Sequence, residues 1–208
     1  MMPKGSAELT SAREEEIVDA CARLYETMSF NEITVKEIGS ATSFTRTSIY
    51  NYFQTKEEIF LALLQREYAS WNRELLAAVN TYGTFSREEL AELLADTLSR
   101  RAVLLKILSM NLYDIEGQSR LEKLIEFKKG FCTTTELVNQ ALKKVVPALS
   151  EECCAAFQYS FFPFVYGVYP YTSVTAKQNE AMKKAGICCR QFSVYELVKM
   201  TALKLLNA

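Results

Sequence analysis

Histidine is absent from the 208 residues, which removes imidazole zinc sites, Ser-His-Asp and Cys-His nucleophilic machinery and an imidazole pH switch. An ExxH di-iron signature is excluded on the same ground. Glycine (7) and proline (4) are scarce, so the chain is not collagen-like, low-complexity or linker-like. One stretch without charge, Cys153 to Ala176, is 24 residues long, enough to span a bilayer. Gln158, Ser160, Thr172, Ser173 and Thr175 interrupt it, and Pro163, Gly167 and Pro170 fall inside, so it reads as a buried, kinked helix ending near Val168. Met1 to Thr10 has no apolar core of a signal peptide, which makes the cytoplasm the expected location, with no membrane association. The 6 cysteines include the adjacent pairs Cys153-Cys154 and Cys188-Cys189. These suit neither a disulfide framework nor a CxxC metal clamp, so reduced, partly buried thiols are expected, with no metal, cofactor or catalytic residue.

What is present is a well-balanced globular composition, 49% hydrophobic and 24% charged at 23.7 kDa. That length allows one or two domains that bury about 70% of the unfolded chain's surface without a staple. The dominant apolar period is helical, beginning with Ile17, Ala20, Cys21, Leu24 and Met28 on one face, and no strand pattern competes. Helix starts are marked by reciprocal capping boxes at Ser11-Ala-Arg-Glu14, Thr34-Val-Lys-Glu37, Thr55-Lys-Glu-Glu58, Ser86-Arg-Glu-Glu89 and Ser193-Val-Tyr-Glu196. The expected class is all-α, with about nine helices near 11–28, 34–41, 45–52, 56–80, 87–101, 102–114, 118–146, 151–168 and 191–206. Three short helices followed by long ones divide the chain into an N-terminal unit, 10–55, and a helical body, 56–208.

Two short helices, Thr34 to Ala41 and Thr45 to Tyr52, are separated by three residues, the spacing of a helix-turn-helix. With Ile49 facing inward, Phe53 lies close to it and Tyr52 on the boundary. Thr47 and Asn51 then occupy the opposite face, flanked by Ser48 and Tyr50. An exposed set of hydroxyls and an amide, with Arg46 at its start, suits base edges and phosphates. Charge is less obliging, because Thr10 to Phe60 holds nine acidic against five basic residues, a balance of −4. Between Glu37 and Glu57, however, no acidic residue occurs while Arg46 and Lys56 do, leaving the contact face weakly basic. Lys56 in a first helical turn opposes the helix dipole at a cost of ~0.3 to 1 kcal/mol. It makes sense there beside an anion, in a phosphate clamp with Tyr50 and Tyr52. The plainer alternative is an exposed lysine offset by Glu57 and Glu58.

The run from Thr34 to Phe60, and above all Ile49-Tyr-Asn-Tyr-Phe53 followed by Thr55-Lys-Glu-Glu58, resembles the DNA-binding region of tetracycline-repressor (TetR) family regulators. The likeness covers roughly residues 10–64. It implies a recognition helix at Thr45 to Tyr52, with base contacts from Arg46, Thr47 and Asn51 and phosphate contacts from Thr34, Thr45, Tyr50, Tyr52 and Lys56. Two positions depart from the family pattern. Ser43 stands where a turn glycine is common and is less comfortable in a left-handed conformation, and Thr47 replaces a small Gly or Ala, which puts any family operator preference in doubt.

Beyond Leu64 the resemblance implies an effector-binding and dimerisation domain without specifying a ligand. Seven aromatics fall between Tyr159 and Tyr171, fit either for walls around an apolar or aromatic effector or for a core or dimer interface. Candidate effector-site residues are Asn111, Gln158 and Tyr159 as polar groups, with Trp71, Met110, Phe127, Phe131, Phe162 and Tyr166 as apolar lining. The stripe Tyr195, Val198, Ala202, Leu205, together with helix 151–168, suggests a four-helix homodimer interface. The expected function is a homodimeric repressor, released from a palindromic double-stranded DNA operator by a small molecule. The rivals are a helical small-molecule carrier and an architectural DNA binder, the latter disfavoured by low net basicity. An enzyme is not expected: Glu14, Glu15 and Glu16 sit in a first helical turn, where capping explains them.

Overall fold

The computed structural model describes residues 4–187 and 190–207, and all regular structure within them is helical. The Cys188-Cys189 pair lies outside the described residues. Eleven helices follow in order: α1 (Lys4–Thr27), α2 (Val35–Ser40), α3 (Arg46–Ile49), α4 (Lys56–Thr81), α5 (Arg87–Ser99), α6 (Ala102–Met110), α7 (Leu112–Gly117), α8 (Leu121–Val145), α9 (Glu151–Thr172), α10 (Ala176–Lys184) and α11 (Val194–Leu206). No helix among the described residues is long and apolar enough to cross a membrane.

The count exceeds nine for local reasons. Asn111 adopts φ −142°, ψ −1°, so the expected helix 102–114 breaks into α6 and α7. The sequence reading has no helix between 168 and 191, yet Thr175 and Gln178 form a reciprocal capping box that starts α10. Gln serves there in the role that the glutamates fill at Ser86-Glu89 and Ser193-Glu196, where both halves of the box also form. α1 starts at Lys4 rather than Ser11, which places Ser11 inside the helix and removes its capping role. α9 runs past Val168 to Thr172 with Pro163 and Pro170 inside it. Both prolines are exposed, so the backbone bonds they forfeit lie on the side open to water.

The Thr55-Glu58 signal is half right. Glu58 N–H donates to Thr55 Oγ1 at 3.2 Å, but the Glu58 carboxylate accepts from Gln54 N–H at 2.8 Å rather than from Thr55. It also accepts the Arg120 Nε and Nη2 donors at 2.6 and 2.9 Å and Arg120 N–H at 3.2 Å. Burial alone would raise this carboxyl. The Arg120 fork, the two backbone N–H groups and the Arg120 charge outweigh it and hold Glu58 below the usual carboxylate range.

By packing the chain forms two compact units, one of residues up to Tyr68 with Asn111–Phe131, the other of Ala69–Met110 with Cys132 onward. In the first, Ile17, Ala20, Cys21 and Tyr25 of α1 are buried with Ile38, Ile49 and Phe53 and with Ile59, Phe60, Leu63 and Leu64 of α4. Phe60 is wedged edge-on between Tyr25 (5.0 Å between centroids) and Phe30 (4.8 Å). Burial pushes the Cys21 thiol up to about 12 against the opposing charges of Arg66 and Lys56. In the second unit α11 packs on α5 and α9, and α6 on α9. Leu90, Leu94, Leu98, Leu104, Phe161, Val165, Val198 and Ala202 form its interior, and buried Trp71 donates its indole N–H to Thr97 Oγ1 at 3.0 Å.

Candidate nucleic-acid interface

α3 is footed on two buried anchors, its own last residue Ile49 and, four residues on, Phe53. Its regular part is shorter than the expected 45–52, because the chain tightens after Ile49. Asn51 N–H and Tyr52 N–H bond the carbonyls three residues back, at 3.2 and 2.9 Å, before Phe53 N–H returns to Ile49 O at 3.0 Å. Thr45 caps the helix, accepting from Ser48 N–H at 3.2 Å and sharing a 2.9 Å hydroxyl contact with Ser48 Oγ. With the apolar side committed inward, Arg46, Thr47, Tyr50 and Asn51 are exposed together. Arg46 Nη2 donates to Tyr50 OH at 3.3 Å and its guanidinium lies 5.9 Å from that ring, which orders two flexible side chains into one hydrogen-bonding edge.

The turn before α3 needs no glycine. No non-glycine residue among the described ones has positive φ, so Ser43 carries no left-handed strain. A carboxylate from α1 holds it instead: Ser43 N–H donates to Glu16 Oε1 at 2.6 Å and Ser43 Oγ to Glu16 Oε2 at 3.1 Å. Arg23 Nη2 donates to Ala41 O at 3.3 Å, and Arg13 Nη1 donates to Tyr52 OH at 3.0 Å. Gly39 supplies the close approach of α2 to α3: a Cβ there would sit 3.4 Å from Arg46 N and 3.5 Å from Ile49 Cδ1. Arg13, Glu16, Arg23 and Gly39 escape sequence reasoning because their partners are remote in the chain and no spacing rule links them.

Of the phosphate candidates, Thr34 caps α2 by accepting from Lys36 and Glu37 N–H at 3.2 and 3.4 Å, and its hydroxyl bonds the Glu37 carboxylate. Lys56 is neither an idle surface lysine nor a wholly free cation. Its Nζ donates to Phe30 O at 2.8 Å and Ile33 O at 3.3 Å and lies 4.1 Å from the Phe30 ring centre. Two of its three ammonium donors therefore close the α1–α2 turn, which accounts for a lysine at the unfavourable end of a helix dipole.

The effector candidates are divided between the units: Asn111, Phe127 and Phe131 belong to the first, and Trp71, Met110, Gln158, Tyr159, Phe162 and Tyr166 to the second. Met110 at 58% and Tyr159 at 83% exposure are open to solvent. The two amides have structural partners. Asn111 Oδ1 accepts Tyr25 OH at 3.1 Å, and Gln158 Nε2 donates to Thr135 O and Asn139 Oδ1 at 2.8 and 2.6 Å. Phe127 packs beside Tyr68, 5.8 Å between centroids, and Phe131 edge-on to it at 5.7 Å, while Phe162 lies edge-on to Phe161 at 5.9 Å and Tyr166 is half-buried on α9. Of the expected dimer stripe on α11, Val198 and Ala202 are fully buried in their own unit, while Tyr195 and Leu205 are half-buried.

An all-helical chain whose short third helix presents hydroxyl, amide and guanidinium groups from an apolar footing belongs with the helix-turn-helix DNA-binding regulators. Residues 17–63 match the profile of bacterial regulatory proteins of the tetR family, and residues 65–203 match the tetracyclin repressor-like C-terminal domain. The chain belongs to the TetR family of DNA-binding transcriptional regulators. The HTH-type transcriptional repressor Rv1474c of Mycobacterium tuberculosis is 30% identical over 98 residues, 47% of either chain, so the match spans about half the length of that relative. Solved structures that share the fold include two FadR regulators. The fatty acid degradation regulator FadR of Bacillus halodurans has a TM-score of 0.61 at 19% identity, over 93% of this chain and 94% of its own. FadR of Bacillus subtilis, solved in complex with stearoyl-CoA, has a TM-score of 0.61 at 16% identity, over 92% and 96%.

Proposed function

We propose that this regulator is a cytoplasmic, homodimeric repressor that reads a palindromic operator through α3 and leaves it when a small apolar molecule binds the helical body. Residues 10–55 serve DNA and residues 56–208 serve effector binding and dimerisation. The observation that carries the reading is the exposed Arg46, Thr47, Tyr50 and Asn51 edge fixed over buried Ile49 and Phe53. Thr47 and Asn51 face base edges, Arg46 faces a base or the backbone, and Thr34, Thr45, Tyr50, Tyr52 and the remaining donor of Lys56 take phosphates. Dimerisation uses the outward side of α9, where Ala156, Tyr159, Ser160, Pro163, Gly167 and Tyr171 are exposed and uncharged. Because α11 spends Val198 and Ala202 inside, its contribution is confined to its outer side. A two-fold dimer sets its recognition helices about 34 to 36 Å apart, one DNA turn. The stearoyl-CoA carried by the Bacillus subtilis relative makes long-chain acyl-CoA thioesters the first effector class to try.

The test is selection of bound duplexes from a random pool, followed by mobility shift with variants. Tyr50→Ala should weaken binding to every sequence, whereas Thr47→Ala and Asn51→Ala should change which bases are preferred. A selected duplex bound equally well by all three variants would end the assignment of this face. Stearoyl-CoA is expected to release the duplex, and failure to do so discards that effector class alone.

A further inference from the structure

The main chain leaving the recognition helix is held by a side chain, not only by its neighbours in sequence. Gln54, two residues after Tyr52, gives its N–H to the buried carboxylate of Glu58. The other occupant of that carboxylate is Arg120, from the turn between α7 and α8, whose planar fork meets both oxygens. Thr55 Oγ1 adds a 3.4 Å contact to Gln118 O in the same turn. At the far end of α7, Asn111 occupies the N-cap position but makes no cap bond, because its side-chain oxygen accepts from Tyr25 OH. The stretch from Asn111 to Arg120 is thus pinned at both ends to the DNA-binding helices, once to α1 and once to the exit of α3. It is continuous in the chain with α6 on one side and α8 on the other.

We propose that Arg120 is a positioning residue for DNA recognition, fixing the exit of α3 through Glu58 and the Gln54 N–H, and that Asn111–Arg120 is the clip by which the helical body sets the reading face. A bidentate guanidinium–carboxylate pair fixes distance and plane together, which an ammonium cannot do. Arg120 is also 40% exposed while the Glu58 side chain is wholly buried. Rearrangement of the α7–α8 turn can therefore carry the guanidinium into water, leaving the Gln54 N–H on a carboxylate that has lost its counter-charge.

The inference rests on the regulator reading above, and its test uses the full-length chain and a duplex that this chain selects from random oligonucleotides. Arg120→Met, Arg120→Lys and Glu58→Gln are each expected to weaken binding by about 5- to 150-fold, the span of ordinary coupling between sites. The double variant Glu58→Gln/Arg120→Met should lose no more than the single ones, because both residues act through one pair. Arg120→Lys keeps the charge and tests the fork where Arg120→Met fails to fold, and in it hydrogen exchange should quicken at the Gln54 amide while the thermal midpoint stays near that of the wild type. Arg120→Lys binding the duplex as tightly as the wild type, or losses that add in the double variant, would overturn the positioning role alone. A chain that selects no duplex would overturn the regulator reading and this inference together.

Discussion

Glu16→Ala offers a direct test of how the turn before the recognition helix is built. The carboxylate accepts two hydrogen bonds from Ser43, at 2.6 and 3.1 Å, and stands in for the conformational freedom of a turn glycine. Hydrogen bonds to a charged group contribute about 1.5 to 3 kcal/mol when sheltered. Here Glu16 is half-buried and Ser43 exposed, so water replaces part of what is lost and the pair together should be worth roughly 1 to 2 kcal/mol. Removing one of two acids at i, i+3 on α1, Glu16 and Asp19, returns only about 0.2 to 0.5 kcal/mol. The net destabilisation is then about 1 kcal/mol, a shift in urea midpoint with unchanged slope, accompanied by faster hydrogen exchange at the Ser43 amide. Glu16→Gln separates geometry from charge, since it keeps the acceptor and removes an anion from beside the contact face. It should lose less stability than Glu16→Ala and bind duplex DNA more tightly. An unchanged midpoint and unchanged Ser43 exchange in Glu16→Ala would refute this account of the turn.

Three further outcomes can be measured. Glu58 has a lowered carboxyl, so its stabilising contribution is complete above the ordinary carboxylate range and is lost as pH falls through its folded value; the stability gap between wild type and Glu58→Gln should close in acid below about pH 4. Operator binding should show a shallow salt dependence, because Arg46 and Lys56 supply two cations per subunit; a dimer neutralising about four phosphates gives a log–log slope of about −3.6, and a slope as steep as about −10 would contradict so weakly basic an interface. Iodoacetamide at pH 8 should leave Cys21 unlabelled in the folded chain and label it in urea, read by peptide mapping, since its thiol is buried and pushed up to about 12.

The helix-turn-helix was legible because its information is local. A period of apolar residues, an N-cap threonine and a three-residue gap locate α2 and α3 without knowledge of anything remote. Caps were similarly legible at Ser86 and Ser193, where a glutamate lies three residues on, but the Thr175–Gln178 box went unread and the Ser11–Glu14 spacing falls inside α1. The partners of Glu58, Asn111 and Lys56 were not, because Arg120, Tyr25 and the Phe30 and Ile33 carbonyls are brought to them by packing. Lys56 shows the cost of reading a residue by its own helix alone: the dipole argument identifies an anomaly correctly, and a turn more than twenty residues earlier explains it. The aromatic run on α9 was illegible for another reason. A helix surrounded on several sides uses every face, so composition does not say that Phe161 is buried while Tyr159 and Tyr171 stand outward.

That outward face bears on recognition itself. A single α3 with one guanidinium, two hydroxyls and an amide offers few base contacts, each good bidentate pair discriminating by about 1 to 3 kcal/mol, and the chain's net charge of −1 adds little general attraction to DNA. Specific binding by such a face needs the contact set doubled, with spacing enforced by the protein. In the dimer proposed above, the α9 surface supplies that enforcement: Tyr159 and Tyr171, 83% and 78% exposed, lie twelve residues apart with no charged residue between them, and an added Cβ at Gly167 meets nothing within 4 Å. Low basicity, which at first argues against a DNA-binding protein, is therefore consistent with one whose affinity depends on pairing, and it suppresses the non-specific binding that would otherwise compete with the operator.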